Sequence, residues 1–86
     1  MYYVYILRSK KDKKFYIGFS SNLRLRYKEH CDGLVRSTRH RRPLELIYYE
    51  AYISKKNAGQ RELFYKSGRG REILYKILKE SLYNLD

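Results

Sequence analysis

Short apolar segments open the chain and are separated by a strongly polar stretch. Residues 2–7 (YYVYIL) and 15–19 (FYIGF) are dense in aromatic and β-branched side chains, which is typical of strands. The polar residues between them (RSKKDKK) predict a hairpin with a basic tip. Because both faces of residues 2–7 are apolar, we expect this strand to be central in its sheet.

A helix and a third strand are predicted next. The helix is expected at about Leu23–Cys31, since three capping residues (SSN) precede it and an Asp-Gly turn follows it. The strand is expected at Leu44–Ile53 (LELIYYEAYI). Alternation along this strand assigns one face to Ile47, Tyr49, Ala51 and Ile53.

Two further helices complete the predicted order ββαβαα. Ser54 can cap the first of them, at about Lys55–Lys66. The segment Ser67–Gly70 (SGRG) is expected to break the helix, and the last helix is predicted at about Arg71–Tyr83. Its stripe is the cleanest amphipathic pattern of the chain and predicts a packing role: Ile73, Leu74, Ile77, Leu78 and Leu82.

Composition directs attention to polyanions. A chain of 86 residues makes one domain, and its core buries only about 60–65% of the unfolded surface. The 20 Lys plus Arg exceed the 9 Asp plus Glu and give a formal charge of +11. This excess favours nucleic acid first and an anionic membrane surface second, with a merely solvated basic surface as the third interpretation.

The single cysteine and the first residues exclude several classes. Cys31 alone rules out an internal disulfide and a cysteine-based zinc site. It shares an apolar helical stripe with Leu23 and Tyr27, so we expect a packed thiol rather than a nucleophile. Only six apolar residues follow Met1 before charges begin, too few for a signal peptide or a membrane span. We therefore expect a cytoplasmic protein.

The segment Tyr16–His30 (YIGFSSNLRLRYKEH) joins a strand to a helix start through Gly18. The glycine allows close approach of a ligand, and the free N–H groups of the helix start favour an anion. Arg26 and His30 are four residues apart and share one helix face. A phenol, a guanidinium and an imidazole are thereby predicted at one sheet edge, which suits a phosphate. The alternative is that Arg26 and His30 are solvated surface residues.

Glu62 is the carboxylate that spacing singles out. It lies on one arc of its helix with Ala58 and Tyr65, at the edge of the predicted buried face. A partly buried carboxylate needs a partner. The structural interpretation is an ion pair with a nearby arginine, and the functional one is a ligand for a hard divalent ion such as Mg²⁺. No other acid has related spacing, so one metal is the limit.

Residues 34–43 (LVRSTRHRRP) are strongly basic, show no periodicity and are predicted to form a surface loop. Concentrated charge without a base-reading pattern favours contacts to the phosphate backbone. The predicted nucleic-acid contacts are Gly18, Arg24, Arg36, Arg39, Arg41, Arg42, Lys66 and Arg69.

Taken together, these motifs resemble the GIY-YIG endonuclease domain. Tyr3-Val4-Tyr5 stands at its Gly-Ile-Tyr, and Tyr16-Ile17-Gly18 matches its second half. The segment NLRLRYKEH resembles its arginine-bearing helix, with Arg26 and His30, and Glu62 within GQREL stands at its metal-binding glutamate. The resemblance covers nearly the whole chain and extends to a small single-domain bacterial group likened to an excinuclease subunit. Tyr3 replaces the motif's glycine, as is common in that group.

The resemblance implies an α+β fold, with a three-stranded antiparallel sheet flanked by about three helices. It also implies a metal-dependent endonuclease that hydrolyses phosphodiester bonds, of DNA more than RNA, including branched or damaged DNA in repair. Glu62 would hold one Mg²⁺ or Mn²⁺, and Tyr5 would be the general base, assisted by Tyr16 or His30. Arg26 would lower the pKa of Tyr5 and neutralise charge on the phosphate.

Other functions remain open at the level of sequence. The alternative is a non-catalytic nucleic-acid-binding module on the same fold, although binding alone would not need Tyr5, Tyr16, Arg26 and Glu62 at fixed spacing. Peripheral membrane binding ranks last, because no amphipathic helix combines a basic face with large aromatic anchors. Larger relatives attach a separate DNA-recognition domain, so we expect low sequence specificity here unless a protein partner or a homodimer supplies it.

Overall fold

A computed structural model describes residues 1–85 of the chain, with side chains described as far as Tyr83. The strands are β1 (Tyr2–Ser9), β2 (Phe15–Ser20) and β3 (Leu44–Tyr52). The helices are α1 (Leu23–Cys31), α2 (Lys55–Lys66) and α3 (Gly68–Leu85), and one turn of 3₁₀ helix spans Arg39–Arg41. The predicted α+β class and the order ββαβαα are confirmed.

The sheet is antiparallel with the order β2-β1-β3, so β1 is central as its two apolar faces predicted. The two outer strands both pair with β1, and Tyr5 lies between Gly18 of β2 and Tyr49 of β3. Because β2 is an edge strand, side chains from both faces of the sheet can meet around it.

A bulge corrects the predicted face of β3. On β1, Ile6 pairs with Tyr48 and Leu7 pairs with Leu46, which leaves Ile47 without a direct partner. Ile47 and Tyr48 therefore both pack against the core. The predicted common face is wrong at Ile47, because the bulge turns it toward the cluster opposite to the face of Tyr49 and Ala51. Tyr49 and Ala51 are exposed, and Ile53 lies beyond the end of β3.

Two hydrophobic clusters cover the two faces of the sheet. Helices α2 and α3 cover one face, whose cluster is formed by Val4, Ile6, Ile17, Ala58, Tyr65, Leu74 and Leu78. Helix α1 covers the other face, whose cluster contains Tyr5, Leu7 and Leu44, with Tyr16, Leu23, Tyr27 and Leu46 packed against it. None of the helices in residues 1–85 combines the length and the apolar character that a bilayer crossing requires.

The buried stripe of α1 differs from the predicted one at its last residue. Asn22 caps the helix by accepting a hydrogen bond from the backbone N–H of Leu25 at 3.1 Å. Leu23 and Tyr27 pack on the sheet as predicted, but the stripe continues to His30, which is fully buried. Cys31 lies about 100° further round the helix and is exposed, so the prediction of a packed thiol is wrong.

The connection between α2 and α3 is shorter than predicted. Ser67 alone separates the helices, and its hydroxyl accepts a hydrogen bond from the backbone N–H of Gly70 at 3.1 Å. Gly68 and Gly70 lie inside α3 rather than in a loop. A Cβ on Gly70 would overlap the backbone carbonyl of Phe64, so this glycine permits the close approach of the two helices.

Candidate functional site

Tyr5 is the centre of the candidate site, and Gly18 makes room for its ring. The two residues are paired across β1 and β2. A Cβ on Gly18 would overlap the end of the Tyr5 side chain, which is itself buried. Packing of the ring therefore accounts for the glycine, while the contact of Gly18 with nucleic acid stays a prediction.

We expect Gly18→Ala to destabilise the protein by about 1–3 kcal/mol, because the added methyl group overpacks the site and displaces the Tyr5 ring. Urea unfolding followed by circular dichroism measures the change. The control is Gly59→Ala in α2, where nothing lies within 4 Å of the added Cβ. The control should be neutral or stabilising by up to about 1 kcal/mol, since alanine is the better helix former. Equal stability of the two variants would contradict the steric argument.

His30 connects Tyr5 to residues 34–43, which we call the basic loop. Its Nε2 lies 2.9 Å from the Tyr5 hydroxyl, and its Nδ1 lies 2.7 Å from the hydroxyl of Thr38, which is also fully buried. Burial and the nearby charge of Arg26 lower the pKa of His30 to about 4. The imidazole is therefore neutral at pH 7 and has one donor and one acceptor nitrogen. Either tautomer completes a line from Tyr5 through His30 to Thr38.

The ionisation of Tyr5 results from two opposing effects. Burial raises its pKa to about 12, while a hydrogen bond and the positive charge of Arg26 act to lower it. Arg26 thus influences Tyr5 in the predicted direction, but burial has the larger effect. The phenol is protonated at neutral pH.

Arg26 and Tyr16 complete the group around Tyr5. The Tyr16 ring packs edge-on against His30, with centroids 5.0 Å apart, and lies 6.4 Å from the Tyr5 ring. Arg26 is half-buried and forms a 3.4 Å ion pair with Glu29. Burial acts to lower the pKa of Arg26, but its interactions with Tyr5 and Glu29 contribute to raising it, and the net effect is a raised pKa. The alternative that Arg26 and His30 are solvated surface residues is wrong.

Glu62 approaches this group from α2. Its carboxylate makes a small contribution to the raised pKa of Tyr5. The side chain is 22% exposed and accepts a hydrogen bond from Nζ of Lys66 at 3.1 Å. Its place at the edge of the buried face, with Ala58 and Tyr65 fully buried beside it, agrees with the predicted arc. The partner is a lysine, not the arginine that the structural interpretation named.

The donor set suits one hydrated divalent ion. Within residues 1–85 no group of three or more His, Cys, Asp or Glu side chains is placed to hold a metal. Glu62 is a single, partly exposed carboxylate, and Mg²⁺ commonly binds through one or two carboxylates while keeping several waters. Glu62 therefore fits a metal that is completed by water and by oxygens of a substrate.

The basic loop and the hairpin tip form one surface. The hydroxyl of Ser9 donates to the backbone carbonyl of Arg41 at 2.6 Å, and Arg41 forms a 3.0 Å ion pair with Asp12. Nζ of Lys11 donates to the backbone carbonyl of His40 at 3.2 Å. We call the joined cations the basic surface: Lys10, Lys11, Lys13, Lys14, Arg36, Arg39, Arg41 and Arg42. All are exposed except Arg41, which is half-buried.

The remaining predicted contacts lie on the helices. Arg24 on α1, Lys66 at the end of α2 and Arg69 in the first turn of α3 are all exposed. Lys66 is engaged by Glu62 in the structure. Their contact with nucleic acid stays a prediction. Tyr3, the departure from the family motif, packs edge-on against Tyr49 of β3 at 6.0 Å.

Sequence reasoning missed the buried hydroxyl of Thr38 and the partly buried carboxylate of Glu50. Thr38 was placed in a surface loop, yet it and Val35 are buried beneath that loop. Glu50 has no spacing that relates it to the other candidate residues, yet its carboxylate accepts hydrogen bonds from Arg61 and from three tyrosine hydroxyls. The tyrosines are Tyr48, Tyr52 and Tyr65. The alternation of Tyr48, Glu50 and Tyr52 on one strand face was a usable signal.

The chain is similar to several known proteins. Residues 1–76 match the GIY-YIG catalytic domain. A UPF0213 protein of Clostridium perfringens is 37% identical over 83 residues, covering 95% of this chain and 88% of that protein. The UPF0213 protein YazA of Bacillus subtilis is 34% identical over 88 residues, with the same two coverages of 95% and 88%. The solution NMR structure of a UPF0213 protein from Bacillus halodurans is 36% identical, covers 90% of this chain and 85% of that one, and gives a TM-score of 0.56. These similarities confirm the resemblance that the motifs indicated.

Proposed function

The chain belongs to the GIY-YIG family of nuclease domains, and we propose that it is a divalent-metal-dependent endonuclease that hydrolyses phosphodiester bonds in DNA. One observation carries the proposal. Tyr5, Tyr16 and His30 are in mutual contact, Arg26 acts to lower the pKa of Tyr5, and Glu62 makes a small contribution to raising it. A domain that only bound DNA would have no use for a buried tyrosine–histidine pair beside a carboxylate.

Arg26 and Tyr5 would act directly on the scissile phosphate and the attacking water. The guanidinium would neutralise charge that accumulates on the phosphate in the transition state, which is the main task in this type of chemistry. Tyr5 would take a proton from the water and pass its own proton to Nε2 of His30, 2.9 Å away. This relay needs no phenolate beforehand, although the pKa of Tyr5 is raised to about 12. It requires the tautomer in which Nδ1 carries the proton and donates to Thr38, and the negative charge of the bound phosphate would have to stabilise the imidazolium, because the pKa of His30 is lowered to about 4. Thr38 would hold the imidazole in place.

Glu62 would hold one Mg²⁺ or Mn²⁺ through its carboxylate. A bound divalent ion supplies positive charge for the leaving oxygen of the phosphate. Lys66 has to release the carboxylate for this to happen, since its Nζ lies 3.1 Å from an oxygen of Glu62. That ion pair is exposed enough to exchange at little cost.

The proposal is tested by incubating the protein with supercoiled plasmid, flap DNA and four-way-junction DNA in Mg²⁺, Mn²⁺ or EDTA. Nicking that requires either metal supports a metal-dependent endonuclease. A protein–DNA complex in a gel-shift assay, without cutting in either metal, would instead support the non-catalytic binding module.

The exposed arginines of the basic surface are expected to set the salt dependence of binding. Each lost phosphate contact should reduce the slope of log K against log[salt] by about 0.9, so Arg39→Ala with Arg42→Ala should reduce it by up to about two. Fluorescence anisotropy of a labelled duplex at several salt concentrations measures the slope. Arg41 is left unchanged because its ion pair with Asp12 joins the two loops.

The control for this experiment is the pair Lys55→Ala and Lys56→Ala at the start of α2, which removes the same charge from another place. A slope that falls equally in both double variants would show a general charge effect. The basic surface would then not be the interface.

A further inference from the structure

A cleft separate from the candidate site lies beside β2, on the face of the sheet that α3 covers. Its volume is about 550 Å³, within the range of small-molecule sites. Its lining residues come from the hairpin, the basic loop and α3: Asp12, Lys14, Phe15, Ile17, Arg41, Arg71, Leu74 and Tyr75. None of the residues predicted for the catalytic group lines it.

The floor of the cleft is apolar and aromatic. Ile17 and Leu74 belong to the core cluster beneath it. Phe15 and Tyr75 stack with centroids 5.1 Å apart and an interplanar angle of 25°. Tyr75 is 50% exposed, so much of its surface stays open beside the cleft. An aromatic face of this kind binds a nucleobase by stacking.

The rim of the cleft carries two cations that are free to meet a phosphate. Lys14 and Arg71 are both exposed, and neither forms an ion pair with a carboxylate among residues 1–85. The third cation, Arg41, is held by Asp12 at 3.0 Å. An exposed aromatic ring and two cations that line the same cleft match the two parts of a nucleotide, its base and its phosphate.

We propose that this cleft binds an unpaired nucleotide of the DNA strand, with the base on Tyr75 and the phosphate between Lys14 and Arg71. The base has to be unpaired because a ring stacked inside a duplex cannot reach an aromatic side chain. Phe15 of the cleft and Tyr16 of the candidate site face opposite sides of edge strand β2, so a nucleic-acid strand that passes round this edge reaches both, which a free nucleotide would not. This inference rests on the proposed function and narrows its substrate to DNA with a single-stranded part.

Binding in EDTA separates this inference from the proposed function, because no cutting is required. Anisotropy is measured with a labelled single-stranded oligonucleotide and with a blunt duplex. Tyr75→Ala should weaken single-strand binding about tenfold and leave duplex binding within about twofold, whereas Tyr75→Phe should bind like the parent. Lys14→Ala with Arg71→Ala should weaken single-strand binding by a similar factor and reduce its salt slope. Tyr83→Ala, an exposed tyrosine elsewhere on α3, is the control.

Each outcome decides the matter. Unchanged single-strand affinity in Tyr75→Ala, or equal losses for single strand and duplex, would overturn the inference. So would competition by adenosine monophosphate at concentrations near the dissociation constant of the oligonucleotide, which would indicate a free-nucleotide site. If the parent protein binds as expected but never cuts DNA in Mg²⁺ or Mn²⁺, the proposed function fails while the cleft assignment stands.

Discussion

Glu62→Gln is expected to reduce metal-dependent cutting of DNA by about 100- to 1,000-fold while DNA binding in EDTA is preserved. Glutamine keeps the shape of the side chain but removes the negative charge that a hard divalent ion requires. The substitution also releases Lys66, which adds rather than removes a positive charge available to phosphate. Loss of cutting therefore cannot be attributed to weaker binding. Initial rates of plasmid nicking at saturating protein measure the effect.

Two controls make the Glu62→Gln result specific. Glu72→Gln on the exposed face of α3 makes the same chemical change away from the site and should cut at the parental rate. Urea unfolding should show that Glu62→Gln is as stable as the parent within about 1 kcal/mol, since its ion pair with Lys66 is partly exposed. Parental cutting by Glu62→Gln would remove this carboxylate from the mechanism and point to a contaminating nuclease.

Local signals predicted the elements well because each element carries its own start and end in the sequence. The ranges of α1 and α2 match their predictions, with Asn22 and Ser54 acting as caps through side-chain hydrogen bonds. The α3 boundary was missed because Gly68 and Gly70 were interpreted as helix breakers. Gly70 is required by the contact with the Phe64 carbonyl, which depends on how two helices pack. Such a contact leaves no local trace.

The sequence indicated candidate residues, and of these Tyr5, Tyr16 and His30 lie in contact, but it did not indicate their electrostatics. Helical and strand spacing, with the motif resemblance, selected Tyr5, His30 and Glu62 as candidate residues. Whether Tyr5 is a phenol or a phenolate depends on burial against the charge of Arg26, and burial has the larger effect. Thr38 could not be selected at all, because its contact with His30 spans eight residues through an aperiodic loop.

Glu50→Ala is expected to destabilise the fold by about 3 kcal/mol or more, the largest stability loss among the substitutions considered. The Glu50 side chain is only 15% exposed. Its removal leaves four donors without their acceptor: the guanidinium of Arg61 and the hydroxyls of Tyr48, Tyr52 and Tyr65. A partly buried donor that loses its acceptor costs about 1 kcal/mol or more, so four such donors together account for the expected loss.

Urea unfolding at pH 7 measures this loss, with Glu45→Ala on the same strand as the control. Because Arg61 and Tyr65 are on α2, the Glu50 network also ties that helix to β3. Glu62 follows Arg61 directly, so loosening the network should reduce cutting as well. A stability change below about 1 kcal/mol would mean that the released tyrosines find water or other acceptors.

The pH dependence of stability provides an independent test of the Glu50 network. Burial acts to raise the pKa of Glu50, but its bonds to Tyr52, Tyr65, Tyr48 and Arg61 outweigh burial and lower it. A carboxyl whose pKa is lower in the folded state contributes stability above its unfolded pKa of about 4.3 and loses it as the pH falls through the folded value.

The stability difference between the parent and Glu50→Gln should therefore be constant from pH 7 to about 5 and shrink below about pH 4. His30, whose pKa is lowered to about 4, also costs stability on acidification, but equally in both proteins. The difference between the two curves consequently isolates Glu50, and a difference that stays flat to pH 3 would contradict a charged carboxylate at the centre of the tyrosines.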